Sequence, residues 1–209
     1  MSTPSPRLKS KVRMLFSDSS IPKGDFRVKY MTTDVGGVVI VDIEPDRDDR
    51  GFFSPVFCAD EFAESGLPST FAQLKLAYSY ARGTLRGIHR QVPPNAEAKL
   101  IRCTRGAIAA VAVDVRSESS NYGNHVMYQL SADNRRALFV PPYVAHGFQT
   151  LADNTEVLYQ VSGVYDADEE QGFRWDDPEF GIEWPLAVTV VSERDANWPF
   201  LASVKRAAS

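Results

Sequence analysis

Residues 83–91 read Gly-Thr-Leu-Arg-Gly-Ile-His-Arg-Gln and carry His89, one of only three histidines in the 209-residue chain. An imidazole beside fixed positive charge suits proton transfer on an anionic substrate, because histidine exchanges its proton near neutral pH. Between Arg82 and Arg105 six basic residues stand against one acid, Glu97, in a chain whose net charge is −4. Arginines in such a patch can hold a phosphate or diphosphate as bidentate donors. Cationic side chains on a solvated strand face are the structural alternative. In residues 98–103, alternation sets Lys99 on the face of Ile101 and Cys103. A lysine pointing inward there needs an anionic partner or a shifted pKa. In residues 156–161, Tyr159 shares a face with Val157 and Val161 and points to the interior. Around His89 the parity stays open, because Gly87 is placed to form a bulge that changes which side chains face inward.

Several other chemistries have no support in the residues. His89, His125 and His146 form no His-x-His pair, and no carboxylate follows at ligand spacing, so no bound metal is expected. Gly-rich phosphate loops and a G-x-S-x-G elbow are missing, which leaves acid–base chemistry. Cys58 and Cys103 give no disulfide framework and read as reduced thiols in a cytoplasmic protein. The first residues lack the apolar run of a signal peptide. The longest apolar run, residues 107–113, is too short to span a bilayer, so no membrane association is expected. The acidic balance argues against nucleic-acid binding, which needs a broad basic face.

The elements that must position these side chains are short strands. Residues 1–33 are polar and without sustained period, and read as an N-terminal extension with one short ordered piece. From Val38 a β-branched run ends in the turn-forming residues 45–51. Pro55 marks an edge or a bulge. Residues 60–65 predict a short helix with Asp60 as N-cap, stopped by Gly66 and Pro68. Strand signals follow at residues 74–80, 84–91, 98–104, 107–115, 125–130, 137–140, 147–151 and 156–164. Strands this short and frequent, with almost no helix between, predict an all-β sandwich or barrel. After Gly172 the chain is aromatic and Pro-rich, and residues 192–195 predict the start of a last short helix.

Eight blocks in order resemble the dTDP-4-dehydrorhamnose 3,5-epimerase family. They are Asp49-Arg-Gly-Phe-Phe53, Gly83-Thr-Leu-Arg-Gly-Ile-His89, Ala98-Lys-Leu-Ile-Arg-Cys103, Ala112-Val-Asp-Val-Arg116, Leu130-Ser-Ala-Asp-Asn134, Val140-Pro-Pro-Tyr-Val-Ala-His-Gly-Phe148, Val157-Leu-Tyr159 and the segment from Arg174 to Leu186. The resemblance implies a homodimeric, cupin-type double-stranded β-helix, or jelly roll, over residues 34–209, with short peripheral helices and neither metal nor cofactor. It implies a nucleotide-diphosphate deoxysugar as substrate. A ketone at C4 of such a sugar acidifies the C3 and C5 protons, so epimerisation needs a base, an acid on the opposite face and a cation near the enolate oxygen. By position His89 matches the base, Asp195 its buried carboxylate partner, Tyr159 the acid and Lys99 the cation. The resemblance further assigns substrate contact to Arg50, Phe53, Arg86, Arg90, His146 and Tyr165, with Arg50 and Arg86 on the diphosphate.

The four residues matched to proton transfer each have a structural alternative, which for His89 is a hydrogen-bonded place in a strand. Asp195 follows Ser192 at capping-box spacing, Tyr159 suits a core position with a satisfied hydroxyl, and Lys99 can snorkel to the surface. The chain also departs from the family pattern. Leu74-Lys-Leu76 replaces a Gln-x-Asn that touches the sugar, Pro55 replaces a glutamate near the base, and Arg90 replaces an aromatic residue. The reading is therefore an epimerase with retained proton-transfer machinery and altered recognition. An epimerase acting at C3 alone, and a non-catalytic sugar-nucleotide-binding protein of the same fold, are the competing readings.

Overall fold

A computed structural model describes residues 13–14 and 27–203. Its strands are β1 (Arg13–Met14), β2 (Arg27–Thr32), β3 (Val39–Glu44), β4 (Asp46–Asp48), β5 (Gly51–Phe53), β6 (Gln73–Ser79) and β7 (Leu85–Gln91). They continue with β8 (Lys99–Arg105), β9 (Ala107–Asp114), β10 (His125–Ser131), β11 (Ala137–Val140), β12 (Val144–Thr150), β13 (Thr155–Val161) and β14 (Glu170–Gly172). The short helices α1 (Ala59–Glu64) and α2 (Glu193–Ala196) lie outside them.

Two antiparallel sheets face each other. One has seven strands in the order β1-β2-β3-β11-β8-β13-β6, the other five in the order β10-β9-β12-β7-β14, and β4 and β5 form a separate hairpin. This is the expected jelly roll. Strand β9 shows why its sequence is an apolar run rather than an alternation. Ile108, Ala110 and Ala112 face the space between the sheets, with Ile40, Ile101, Leu138 and Phe148. Ala109, Val111 and Val113 face the other way, under Phe173, Phe180 and Leu201 of the aromatic C-terminal segment. A strand covered on both faces must be apolar on both. The outer face of the larger sheet is covered in turn by Phe62 of α1, packed on Val39, Val41, Leu100 and Phe139.

The strand expectations agree with the observed elements to within a few residues, the largest offsets being three, at the start of β12 and at the end of β13. Helix α1 begins one residue earlier than expected, and its N-cap is Cys58, with no side-chain hydrogen bond; Asp60 lies inside the first turn. Within the expected extension, β2 pairs with β3 along its whole length. Most of the remaining extension, residues 1–12 and 15–26, lies outside the described residues. Among the described residues no helix is long and apolar enough to cross a membrane.

The bulge at Gly87 is present. Between β12 and β7, His146 pairs with His89 and Phe148 with Arg86, so two steps on β12 meet three on β7. Gly87 takes φ +100°, and the peptide between it and Ile88 is cis. A Cβ on Gly87 would lie 2.7 Å from the His146 carbonyl oxygen and 2.8 Å from Gly147 Cα. The position thus requires glycine twice, for its backbone conformation and for the approach of β12.

Candidate active site

The apolar filling between the sheets stops short of one end, and the inner-face positions there become polar. A cavity of about 250 Å³ opens, lined among others by Lys75, Arg86, His89, Glu97, Lys99, His146, Tyr159, Tyr165, Glu170 and Asp195. The periodicity is that of the core. Lys99 continues the inner face of Ile101 and Cys103, Tyr159 that of Val157, and His146 that of Val144 and Phe148. In a regular strand Arg86 and His89, three residues apart, point to opposite faces. The extra residue at Gly87 turns both into the cavity.

His89 and His146 stand on the five-stranded sheet, Lys99 and Tyr159 on the seven-stranded one. The rings of His146 and Tyr159 meet edge to face at 6.0 Å. Nδ1 of His146 lies 2.9 Å from the carbonyl oxygen of Val111. A carbonyl only accepts, so Nδ1 carries the proton and the buried Nε2, which has no protein partner, offers a lone pair. Burial, and secondly the charge of Lys99, push the His146 pKa down to about 3. Burial and then Lys99 also hold His89 below its ordinary value, against the opposing charges of Glu170 and Asp195. Both imidazoles are neutral at pH 7, and a neutral His89 can take a proton. Burial raises the Tyr159 phenol, with Arg86 opposing, so the phenol keeps its proton to give.

Lys99 is buried, and burial lowers its pKa; Glu97, with Oε1 at 3.5 Å from Nζ, opposes this most. Its inward orientation is as expected, and the anionic partner is Glu97. Asp195 does not use its carboxylate to cap α2. Ser192 Oγ accepts from the Asp195 N–H at 3.0 Å. The carboxylate accepts instead from the Gly87 N–H at 3.1 Å and from the Trp198 indole at 3.3 Å. The carboxylate in ion-pair range of His89 is Glu170, with Oε1 at 3.4 Å from Nδ1. Asp195 acts on the imidazole through its charge and through the bulge that carries it.

The remaining expected contacts divide. Arg86 reaches across to β6, donating to Ser79 Oγ at 3.2 Å and the Tyr78 carbonyl at 3.0 Å. Tyr165 stands at the mouth, its hydroxyl 3.2 Å from Glu170 Oε2 and its ring 4.9 Å from Lys75 Nζ. Arg90, next to inward-facing His89, turns to the opposite face, where Gln171 Oε1 and the Tyr143 carbonyl take its guanidinium. Arg50 pairs with Asp48 on the exposed β4–β5 hairpin, which also bears Phe53, and neither lines this chain's cavity.

Glu97, Glu170 and Lys75 are cavity residues that the sequence reading did not single out. Glu97 carried a signal: it stands two residues before Lys99, on the same face of the chain. Glu170 lies within the mostly polar run 165–171, which looks like a solvated loop. Among the described residues, no three His, Cys, Asp or Glu side chains converge to hold a metal ion.

The arrangement suits inversion at carbon, with a neutral imidazole on one wall and a protonated phenol and a lysine on the other. The family model for dTDP-4-dehydrorhamnose 3,5-epimerase matches residues 32–203. The dTDP-4-dehydrorhamnose 3,5-epimerase of Sinorhizobium fredii is 44% identical over 158 residues, covering 75% of this chain and 81% of that one. The dTDP-4-dehydrorhamnose 3-epimerase of Streptomyces niveus is 37% identical over 174 residues, covering 83% and 84%. The crystal structure of the Bacillus anthracis 3,5-epimerase, with TDP and PPi bound, superposes with a TM-score of 0.80 at 37% identity, covering 83% of this chain and 99% of that one. The chain therefore belongs to the dTDP-4-dehydrorhamnose 3,5-epimerase family, as an epimerase of nucleotide-linked 4-keto-6-deoxysugars.

Proposed function

We propose that His89 removes the proton next to the sugar ketone and that Tyr159 returns one from the opposite face. The observation that carries this is their position on facing sheets across one cavity, with His89 neutral and Tyr159 protonated. Lys99 faces the enolate oxygen, where a preorganised cation lowers the barrier most. The lone pair of His146 Nε2 accepts from a sugar hydroxyl, and Arg86 holds the diphosphate. Asp195 and Glu170 together favour the imidazolium that forms once the proton is taken. The protein works in the reducing cytoplasm, consistent with two free thiols.

A homodimer completes the site. Arg50 and Phe53 sit on a hairpin outside their own cavity, and one arginine is a sparse clamp for a diphosphate, so the hairpin of a second copy supplies them. An action at C3 alone is the second reading. It is favoured by the Streptomyces niveus similarity and by Leu76, which lines the cavity where the resemblance expects a polar sugar contact.

The test is exchange in deuterated water with dTDP-4-keto-6-deoxyglucose. Label at C3 and C5 is expected, and label at C3 alone would favour the second reading. No exchange would sink the assignment of proton transfer to this cavity. His89→Ala is expected to slow exchange by about 10²–10⁴-fold; an unchanged rate would remove His89 as the base.

A further inference from the structure

We propose that Glu97 is a positioning residue that holds Lys99 in place and charged beside the reacting sugar, while Lys75 draws on the same carboxylate. The inference rests on the reading of Lys99 as the cation near the enolate oxygen.

Taking an ammonium out of water is unfavourable unless a counter-charge is held close. The Lys99 side chain is 10% exposed. Among the described residues, the carboxylate in ion-pair range of it is Glu97, itself 2% exposed. The other oxygen of Glu97 faces Lys75 Nζ at 3.9 Å, and it is buried with no hydrogen-bond partner. One carboxylate is thus shared unequally by two ammonium groups, the buried one nearer.

The segment bearing Glu97 is tied down. The Ala98 N–H donates to Ser162 Oγ at 2.8 Å, and the Ser162 N–H donates back to the Ala98 carbonyl at 3.0 Å. The Asn95 N–H donates to Glu169 Oε2 at 3.1 Å. Gly163 packs so closely that a Cβ there would lie 3.1 Å from Glu97 Cβ. Lys75 is fixed in turn over the Tyr165 ring.

The groups around Lys99 come from every wall. Glu97 and Glu170 favour its charge and Lys75 opposes it. His89, Arg86 and His146 face it from β7 and β12, Tyr159 from β13 and Asp195 from α2. Removing the Glu97 charge leaves burial and Lys75 acting together against the ammonium. Removing Lys75 leaves Glu97 to Lys99 alone.

The two substitutions therefore have opposite signs. Glu97→Gln keeps the shape and removes the charge. It is expected to move the alkaline fall of kcat to lower pH, each unit of displacement lowering kcat about ten-fold on that side, with little change in KM. Lys75→Met is expected to move the same limb to higher pH. Profiles displaced in parallel to lower kcat at all pH values, or not displaced, would overturn the proposal. Titration of ¹³C-lysine-labelled, ligand-free protein by NMR gives a readout without turnover. The Lys99 resonance, identified by its loss in Lys99→Arg, should titrate at lower pH in Glu97→Gln than in wild type. Equal midpoints would overturn the role of Glu97. A displaced midpoint in an enzyme that catalyses no exchange would instead count against the catalytic reading alone.

Discussion

Two histidines share the cavity and differ in how far their surroundings disfavour charge. His146 is buried on all sides, donates Nδ1–H to a backbone carbonyl and is pushed down to about 3. His89 lies nearer the opening with two carboxylates around it, so its imidazolium is the more accessible state. That division suits one as hydrogen-bond acceptor and the other as proton carrier. It also makes His146 a stability switch. The unfolded chain binds a proton on this residue below its ordinary value of 6.5, while the folded chain does not until about 3. Stability attributable to this residue is therefore full above pH 6.5 and falls as pH drops towards 3. Urea unfolding of wild type should lose stability more steeply than His146→Gln between pH 6 and 4, by up to about 1.4 kcal/mol per pH unit. Parallel pH dependences would contradict a neutral buried His146.

Strand β7 carries the device that makes the site, since without the bulge Arg86 and His89 cannot face the same cavity. Gly87→Ala puts a Cβ 2.7 Å from the His146 carbonyl oxygen at a φ of +100°. It should destabilise the protein by about 2–4 kcal/mol and lower kcat beyond what the lost folded fraction explains. Calorimetry and activity at saturating substrate would show this, and wild-type kcat in the variant would remove the bulge from the mechanism. The strands were legible in the sequence because burial on one face imposes alternation, and burial on both imposes runs such as residues 107–113. Strand β14 was not, because Glu170-Gln171-Gly172 is polar and three residues long, with pairing to β7 as its cause. The same reasoning divides the site. Lys99 and Tyr159 could be placed by parity, whereas Glu170 comes with β14 and depends on a pairing that no local pattern announces. For Asp195 the capping spacing was real, but Ser192 alone makes the cap. The outward turn of Arg90 is alternation beyond the bulge, so Arg90 braces β14 and the Tyr143 turn.

At the scale of the molecule, one edge of the larger sheet has no strand beside it among the described residues. Among the described residues β6 has β13 as its one neighbouring strand, and Leu74 and Leu76 on it and Tyr80 just after it stand 67%, 62% and 81% exposed. An open edge with an apolar face is a pairing liability that a second copy relieves. Sedimentation equilibrium should therefore give twice the chain mass at micromolar concentration. Arg50→Ala should raise KM for the nucleotide sugar while leaving the pH profile of kcat in place. A monomer that turns over with wild-type KM would remove the shared site.

Residues 74 and 76, where the resemblance places altered sugar contacts, lie on this rim strand, and the residues proposed for proton transfer, His89 and Tyr159, lie on strands with neighbours on both sides. A rim residue can be exchanged without breaking interior packing, whereas a change at residue 87 or 99 disturbs both sheets. Substrate preference and chemistry are thereby mechanically separable. A library varied at residues 74 and 76, with Lys75 kept for its place beside Glu97, samples new sugars on an intact reaction centre.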